Sequence, residues 1–296
     1  DSLNIYNPIC YNYIYPDINK KLILFKSLLD DSEEVTKMAD RINKQKFVDS
    51  VDKLLNTWKD IKGVWPMIEH WYYVLSAGNW EVFRFNMKMI TEAIFNPRVP
   101  FRGASVIKGG AGVGKTSIFD VFLEKIIGVD NVLIDRHGSI FTRFNSQLKN
   151  KTIVVVDEFG ESKHVNNEIM AQLKHYVATK RITVDEKYIK QQFSRIYPHV
   201  FILSNEDIPF KIVDDDDRRF MCQECNNEYT YFVDGVKQKT QTPYVKRLQE
   251  CFDHPDFVKL FTLYIIECHY LFKDFIHINS STIPNTEFRS RMLVGG

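Results

Sequence analysis

The residues Gly109-Gly110-Ala111-Gly112-Val113-Gly114-Lys115-Thr116 fit the pattern G-x-x-x-x-G-K-[ST], with Ser117 following. A loop of this kind holds the phosphates of a nucleoside triphosphate such as ATP. Glycines let backbone N–H groups curl around the anion, and the helix that follows directs its positive end toward it. Lys115 is placed to bridge the β- and γ-phosphates, and the Thr116 hydroxyl to reach Mg²⁺. The plainer alternative is a fortuitous glycine-rich turn. Context argues against it, because Ala104–Lys108 reads as an apolar strand before the loop and Ser117–Ile127 as a helix after it.

Two further runs end in groups that suit such a site. Thr152–Val156 is an apolar strand followed by Asp157-Glu158. A carboxylate ending the strand beside the loop would hold the Mg²⁺ shell, which suits Asp157, while Glu158 is placed to polarise the attacking water. Acids at strand ends are common, and only the glycine-rich loop gives these two their meaning. Val200–Leu203 is a second apolar strand, with Ser204-Asn205 after it. Asn205 either reaches the γ-phosphate or the water, or is an ordinary turn residue.

Other residues admit a sharp and a bland reading. Arg218 and Arg219 follow Asp214–Asp217. A solvated, self-neutralised loop is one reading; an arginine finger that forks onto phosphate oxygens is the other. A Ca²⁺ loop is excluded, since no glycine turn and spaced Glu follow the acids. Lys187, Tyr188 and Lys190 sit near the tip of an expected hairpin, Ile182–Asp185 against Tyr188–Phe193. Basic groups beside a ring grip single-stranded nucleic acid, although lysines also mark ordinary exposed hairpin edges. Cys222, Cys225, Cys251 and His254 have a spacing that zinc accepts, or are simply a buried strand end and a helix core.

The elements that position these groups change character along the chain. Lys20–Leu29, Ser32–Trp58 and Trp80–Phe95 carry apolar residues at helical spacing, with Asn79 as a cap and Asn96-Pro97 as a stop. From Ala104 onward, short strands (adding Asn131–Ile134 and Arg219–Cys222) alternate with helices at Ser117–Ile127, Phe141–Leu148 and Asn167–Thr179. That pattern predicts an α/β fold with a mainly parallel sheet covered on both faces. Helices at Tyr244–Phe252 and Pro255–Phe275 follow, and the tail from Ser280 reads as polar and extended. The chain's 296 residues allow one large or two modest domains. A net charge of +1 supplies no bulk field for nucleic acid, so any such contact rests on a few placed Lys and Arg side chains. Five cysteines suit a reducing compartment. No apolar run reaches the length of a membrane span. The chain starts at Asp1 with no signal peptide, so a fragment of a longer protein is expected.

Together these pieces resemble the superfamily 3 helicases, a branch of the AAA+ P-loop ATPases of viruses, phages and plasmids. The order of glycine-rich loop, Val154-Val155-Val156-Asp157-Glu158, Lys-bearing hairpin and Ile202-Leu203-Ser204-Asn205 carries the resemblance. Similarity to the helicase part of phage and plasmid primase–polymerases rests on Phe144-Asn145-x-x-Leu148, Leu173 to Lys187, Asp217-Arg218-Arg219-Phe220 and the segment from Gly78 to Pro97. It covers residues 76–222, leaving 1–75 as a helical collar and 223–296 as a helical C-terminal region and tail.

The resemblance implies a homo-hexameric ring with ATP and Mg²⁺ between neighbours. Lys115, Thr116, Asp157, Glu158 and Asn205 would act from one subunit, and Arg218 or Arg219 from the next. Lys187 would line the pore and draw single-stranded DNA through it, 3′ to 5′. Ile189 stands where a second basic residue would alternate with Lys187, so Tyr188 or Lys190 would share the grip. A linked primase–polymerase domain outside the chain, and action in the host cytoplasm during phage or plasmid replication, complete the expectation. A loader or assembly scaffold with little unwinding of its own uses the same motifs. A protein-remodelling AAA+ machine is disfavoured because the expected hairpin is basic rather than aromatic and apolar.

Overall fold

The computed structural model describes residues 32–44, 47–97, 99, 101–141, 145–149, 151–160, 167–186, 189–197, 199–212, 219–227, 232–233, 236–237, 242–272 and 283–293. Its strands are β1 Ala104–Lys108, β2 Val132–Arg136, β3 Ile153–Asp157, β4 Arg181–Glu186, β5 Ile189–Arg195, β6 His199–Ser204, β7 Phe220–Glu224, β8 Phe232–Val233 and β9 Val236–Lys237. Five of them form one parallel sheet in the order β2-β3-β6-β1-β7. β4 and β5 pair as a separate antiparallel hairpin, and so do β8 and β9.

The sheet is buried on both faces, as its unbroken apolar strands require. Along β3, Ile153 and Val155 enter one core while Val154 and Val156 enter another. β6 does the same, with Phe201 and Leu203 on one side and Val200 and Ile202 on the other. This is the two-residue alternation of a strand acting between two layers.

The first layer is built from α1 Glu33–Asn43, α2 Val51–Trp58, α3 Trp65–Glu69 and its π-helical continuation His70–Leu75, and α4 Trp80–Phe95. It also contains α5, which begins as Lys115–Ser117, widens to a π-helical stretch over Ile118–Leu123 and ends as Glu124–Ile127. α6 Asn167–Ala178 contributes to the opposite layer. α7 Pro243–Phe252 and α8 Phe257–Leu271 return to the first layer, so residues from both ends of the chain share one core. α9 Glu287–Leu293 joins the second core. A buried polar chain fixes α4 to the sheet: Ser105 Oγ donates to Asn86 Oδ1 at 2.7 Å, and Asn86 Nδ2 donates to Gln223 Oε1 at 2.9 Å.

The expected α/β class with a mainly parallel sheet is present, and α4 runs over the expected residues. Asn79 Oδ1 caps α4 by accepting from the Glu81 and Val82 N–H groups at 2.9 and 3.2 Å. Four details differ. Ser32–Trp58 is not one helix, because Ser50 turns the chain and caps a new one by accepting from Lys53 N. The described residues of Phe141–Leu148 are not α-helical. Short 3₁₀ turns occupy Ser139–Phe141 and Ser146–Leu148, and the Asp135 carboxylate accepts from Ser139 Oγ at 2.5 Å and Ile140 N at 3.4 Å, competing with helical pairing. The helix at 65–75 was hidden by Pro66, which the first turn tolerates. The tail is not wholly extended: α9 buries Phe288 and Met292, one helical turn apart, against the second core. Lys20–Leu29 lies outside the described residues. No described helix is long and apolar enough to cross a membrane.

Candidate functional site

The glycine-rich loop leaves the C-terminal end of β1 and enters α5. Gly109 N donates to Ser204 O at 3.0 Å, which ties the start of the loop to β6. A Cβ on Gly109 would lie 2.9 Å from Cys225 Cβ and Sγ, so only glycine fits there without displacement. Gly114 has φ +91°, and a Cβ there would sit 3.1 Å from His70 Nε2. The loop is therefore shaped by residues from both flanking regions. His70 itself meets Tyr244, its Nδ1 lying 3.0 Å from the phenol oxygen. Burial drives the His70 imidazole down to about 3, so it is neutral at physiological pH.

Lys115 is buried, and its ammonium donates to Gly109 O at 2.6 Å, Gly110 O at 3.1 Å and Asn205 Oδ1 at 2.8 Å. Asn205 is thus bonded to the loop lysine, which an ordinary turn residue has no reason to be. Thr116 Oγ1 donates to Asp157 Oδ2 at 3.0 Å, and Asp157 Oδ1 accepts from Glu158 N at 2.9 Å. Hydroxyl and carboxylate are the hard oxygen donors Mg²⁺ takes, so Thr116 and Asp157 fit that ion. Ala111, Gly112, Gly114 to Ser117, Asp157, Glu158, Ser204 and Asn205 line a cavity of ≈ 230 Å³. It opens at the carboxyl ends of the strands, where parallel α/β sheets bind ligands.

One expectation needs correcting. The strand beside β1 is β6, which leads to Asn205; β3 lies one place further out. Asp157 reaches the site because Thr116, on the first turn of α5, reaches toward it.

The sequence reading missed His137, which follows β2. Its Nδ1 donates to Glu158 O at 3.0 Å and its Nε2 lies 3.6 Å from Glu158 Oε2. Both residues have left-handed backbone, φ +62° and +53°. Such strain collects at functional sites. Finding His137 from sequence would require knowing that β2 and β3 are neighbours. Asn227, whose Oδ1 accepts from Gly110 N at 3.3 Å, was also missed.

The remaining predicted residues lie elsewhere. Arg219 immediately precedes β7, and its carbonyl accepts from Ala104 N at 2.7 Å. It therefore sits at the opposite end of β1 from the loop, about 16 Å away for a strand of this length. Arg218, Lys187 and Tyr188 lie outside the described residues; Lys190 belongs to β5, but its side chain lies outside them. The possible zinc residues are dispersed. Cys222 is in the second core and Cys225 packs on Gly109, while Cys251 Sγ donates to Gly63 O at 3.5 Å and His254 Nδ1 accepts from Asp256 N at 3.2 Å. Burial pushes the Cys225 and Cys251 thiols up to about 12. Among the described residues no group of three or more His, Cys, Asp or Glu side chains is arranged to hold a metal.

Fold and site together define an α/β protein whose glycine-rich loop joins a strand to a helix at the carboxyl edge of a parallel sheet. A family model described as a family of unknown function (DUF5906) matches residues 107–219. Over 125 residues the chain is 30% identical to a DNA primase-polymerase of Nitratiruptor phage NrS-1, spanning 42% of this chain and 17% of that protein. The apo structure of the NrS-1 C-terminal region superposes with a TM-score of 0.58 at 20% identity, covering 77% of this chain and 50% of that one. Its A form gives 0.55 at 21% identity with the same coverage. These structures share the fold, and the chain spans only part of each relative.

Proposed function

We propose that this chain is the ATP-hydrolysing motor of a phage or plasmid replication protein, acting as a helicase that moves 3′ to 5′ on single-stranded DNA. The observation that carries the reading is the convergence of Lys115, Thr116, Asp157, Glu158 and Asn205 at one end of the sheet. Similarity to part of a phage DNA primase-polymerase supports the replication setting.

In this reading the loop N–H groups and Lys115 bind the triphosphate. Lys115 exchanges a loop carbonyl for a phosphate oxygen and keeps Asn205 as its tether. Thr116 and Asp157 would hold Mg²⁺, which would supply positive charge to the phosphates. Glu158 orients the attacking water and accepts its proton. Arg219 is too far from its own loop to stabilise the transferring phosphoryl group, which favours a ring in which Arg218 or Arg219 serves the neighbouring site. A homo-hexamer, a linked primase–polymerase domain and a host-cytoplasmic setting belong to the same proposal.

The test is strand displacement and ATP turnover by Lys115→Ala and Lys187→Ala. The first variant is expected to lose hydrolysis. The second is expected to retain basal turnover and lose stimulation by DNA. Unwinding at the unaltered rate by Lys187→Ala removes the hairpin from the mechanism. ATP turnover with no strand displacement by the unaltered chain returns the function to a loader or scaffold.

A further inference from the structure

The hairpin carries a surface that the motor reading does not use. One face is anchored to the body: Ile182, Val184 and Ile196 are buried in the second core. Ile196 N donates to Lys180 O at 3.0 Å across the hairpin base, and Asn145 Nδ2 donates to Thr183 O at 3.0 Å. The opposite face must then project outward, and it presents Arg181, Thr183, Phe193 and Arg195, all exposed. Register pairs Arg181 with Arg195 and Thr183 with Phe193.

Two features of this face work against stability. Like charges directly opposite one another in an antiparallel pair are unfavourable, and neither arginine is ion-paired with a described residue. Phe193 is 84% exposed, the most of any large apolar side chain described. An aromatic ring with one guanidinium two residues along its strand and another diagonally across the hairpin matches a nucleotide unit: a base for the ring and phosphates for the arginines. An anion lying between Arg181 and Arg195 converts their repulsion into shared attraction.

We infer that Arg181, Phe193 and Arg195 form a single-stranded DNA-binding face at the base of the hairpin, with Phe193 stacking on a base and the two arginines holding adjacent phosphates. The inference rests on the nucleic-acid reading above and adds a contact separate from Lys187, Tyr188 and Lys190. Its ligand chemistry is sequence-tolerant, because every base has a π-face.

The test measures binding of a fluorescent oligo(dT) to the 296-residue chain with Mg²⁺ and a slowly hydrolysed ATP analogue, across a salt series. Phe193→Ala is expected to weaken binding on the order of tenfold. Arg181→Gln with Arg195→Gln is expected to lower the slope of log affinity against log salt by about 1.4, the value for two lost phosphate contacts on a single strand. Phe193→Trp is expected to bind as the unaltered chain does, with its indole emission quenched by oligo(dT). Binding by the unaltered chain, with undiminished affinity in both loss variants and no quenching, overturns this face and leaves the motor reading standing. Failure of the unaltered chain to bind oligo(dT) at all overturns both. A fall in solution mass on Phe193→Ala without loss of binding reassigns the face to a subunit contact and overturns the inference.

Discussion

At the scale of single residues, the site is organised around side chains that hold its other groups in place. Asn205 holds the Lys115 ammonium, Asp157 holds the Thr116 hydroxyl and His137 holds the Glu158 backbone. The last of these is the most open to test. Glu158 must aim its carboxylate from a left-handed backbone that L-residues avoid, so something must keep it there. The His137 Nδ1–H to Glu158 O bond does so. His137→Ala is expected to lower the turnover number about tenfold or more while leaving the affinity for ATP unchanged, since only the attacking side of the reaction is disturbed. His137→Asn should recover part of the loss, because Asn tolerates φ +62° and its amide can donate near the place of Nδ1. Weakened ATP binding with unaltered turnover would place His137 in nucleotide binding instead. His137 was invisible in the sequence because its value depends on which strands lie side by side. Lys115, Thr116 and Asp157 were legible because their spacing within one motif, or at the end of an unmistakable apolar strand, carries the chemistry.

At the scale of elements, the glycine-rich loop is a strand–loop–helix unit whose glycines have unequal jobs. Gly110 needs no special freedom: a Cβ there would meet Asn227 Oδ1 at 3.7 Å and Val113 Cγ2 at 3.9 Å, ordinary contacts. Gly114 combines φ +91° with a neighbour at 3.1 Å, the His70 ring, which is buried against Tyr244 and has little room to withdraw. Gly110→Ala is therefore expected to bind a fluorescent ATP analogue within about twofold of the unaltered chain, since both contacts are at ordinary van der Waals distance. Gly114→Ala is expected to lose at least about tenfold, from backbone strain of ~1–2 kcal/mol plus the ring contact. Adding His70→Ala should restore only part of that loss, because it removes the contact and not the strain. Equal affinities for the two alanine variants would refute this division of labour. The elements themselves were largely readable. β1, β3 and β6 are apolar runs bounded by polar residues, and α4 carries its own cap. The insertion of β6 between β1 and β3 was not readable, since parallel strands joined by crossovers leave no local trace of their order. α9 was missed because its apolar positions, Phe288, Met292 and Leu293, are too few in a seven-residue run to show a helical period among polar neighbours.

At the scale of the whole molecule, the first layer is assembled from distant parts of the chain, and one carboxylate joins them. Glu267 of α8 is fully buried. It accepts from the Arg41 guanidinium of α1, from Trp58 Nε1 of α2 at 2.8 Å and from Val48 N at 3.3 Å. Burial pushes Arg41 down to about 10, so its guanidinium stays charged at neutral pH. Removing one partner of a buried pair strands the other, whereas removing both can be nearly neutral. Glu267→Ala is expected to lower unfolding free energy by about 3–5 kcal/mol in urea titration. Glu267→Leu combined with Arg41→Met is expected to regain only part of that stability, because Trp58 Nε1 and Val48 N lose their acceptor. ATP turnover per folded molecule should be unchanged in both, because α1, α2 and α8 contribute no residue to the lining of the cavity at the glycine-rich loop. If the single variant loses less than about 1 kcal/mol, the range of an exposed pair, Glu267 is not the joint. If turnover falls along with stability, the helical layer is mechanically coupled to the loop, and the path to look for runs through His70, which belongs to that layer and packs against Gly114.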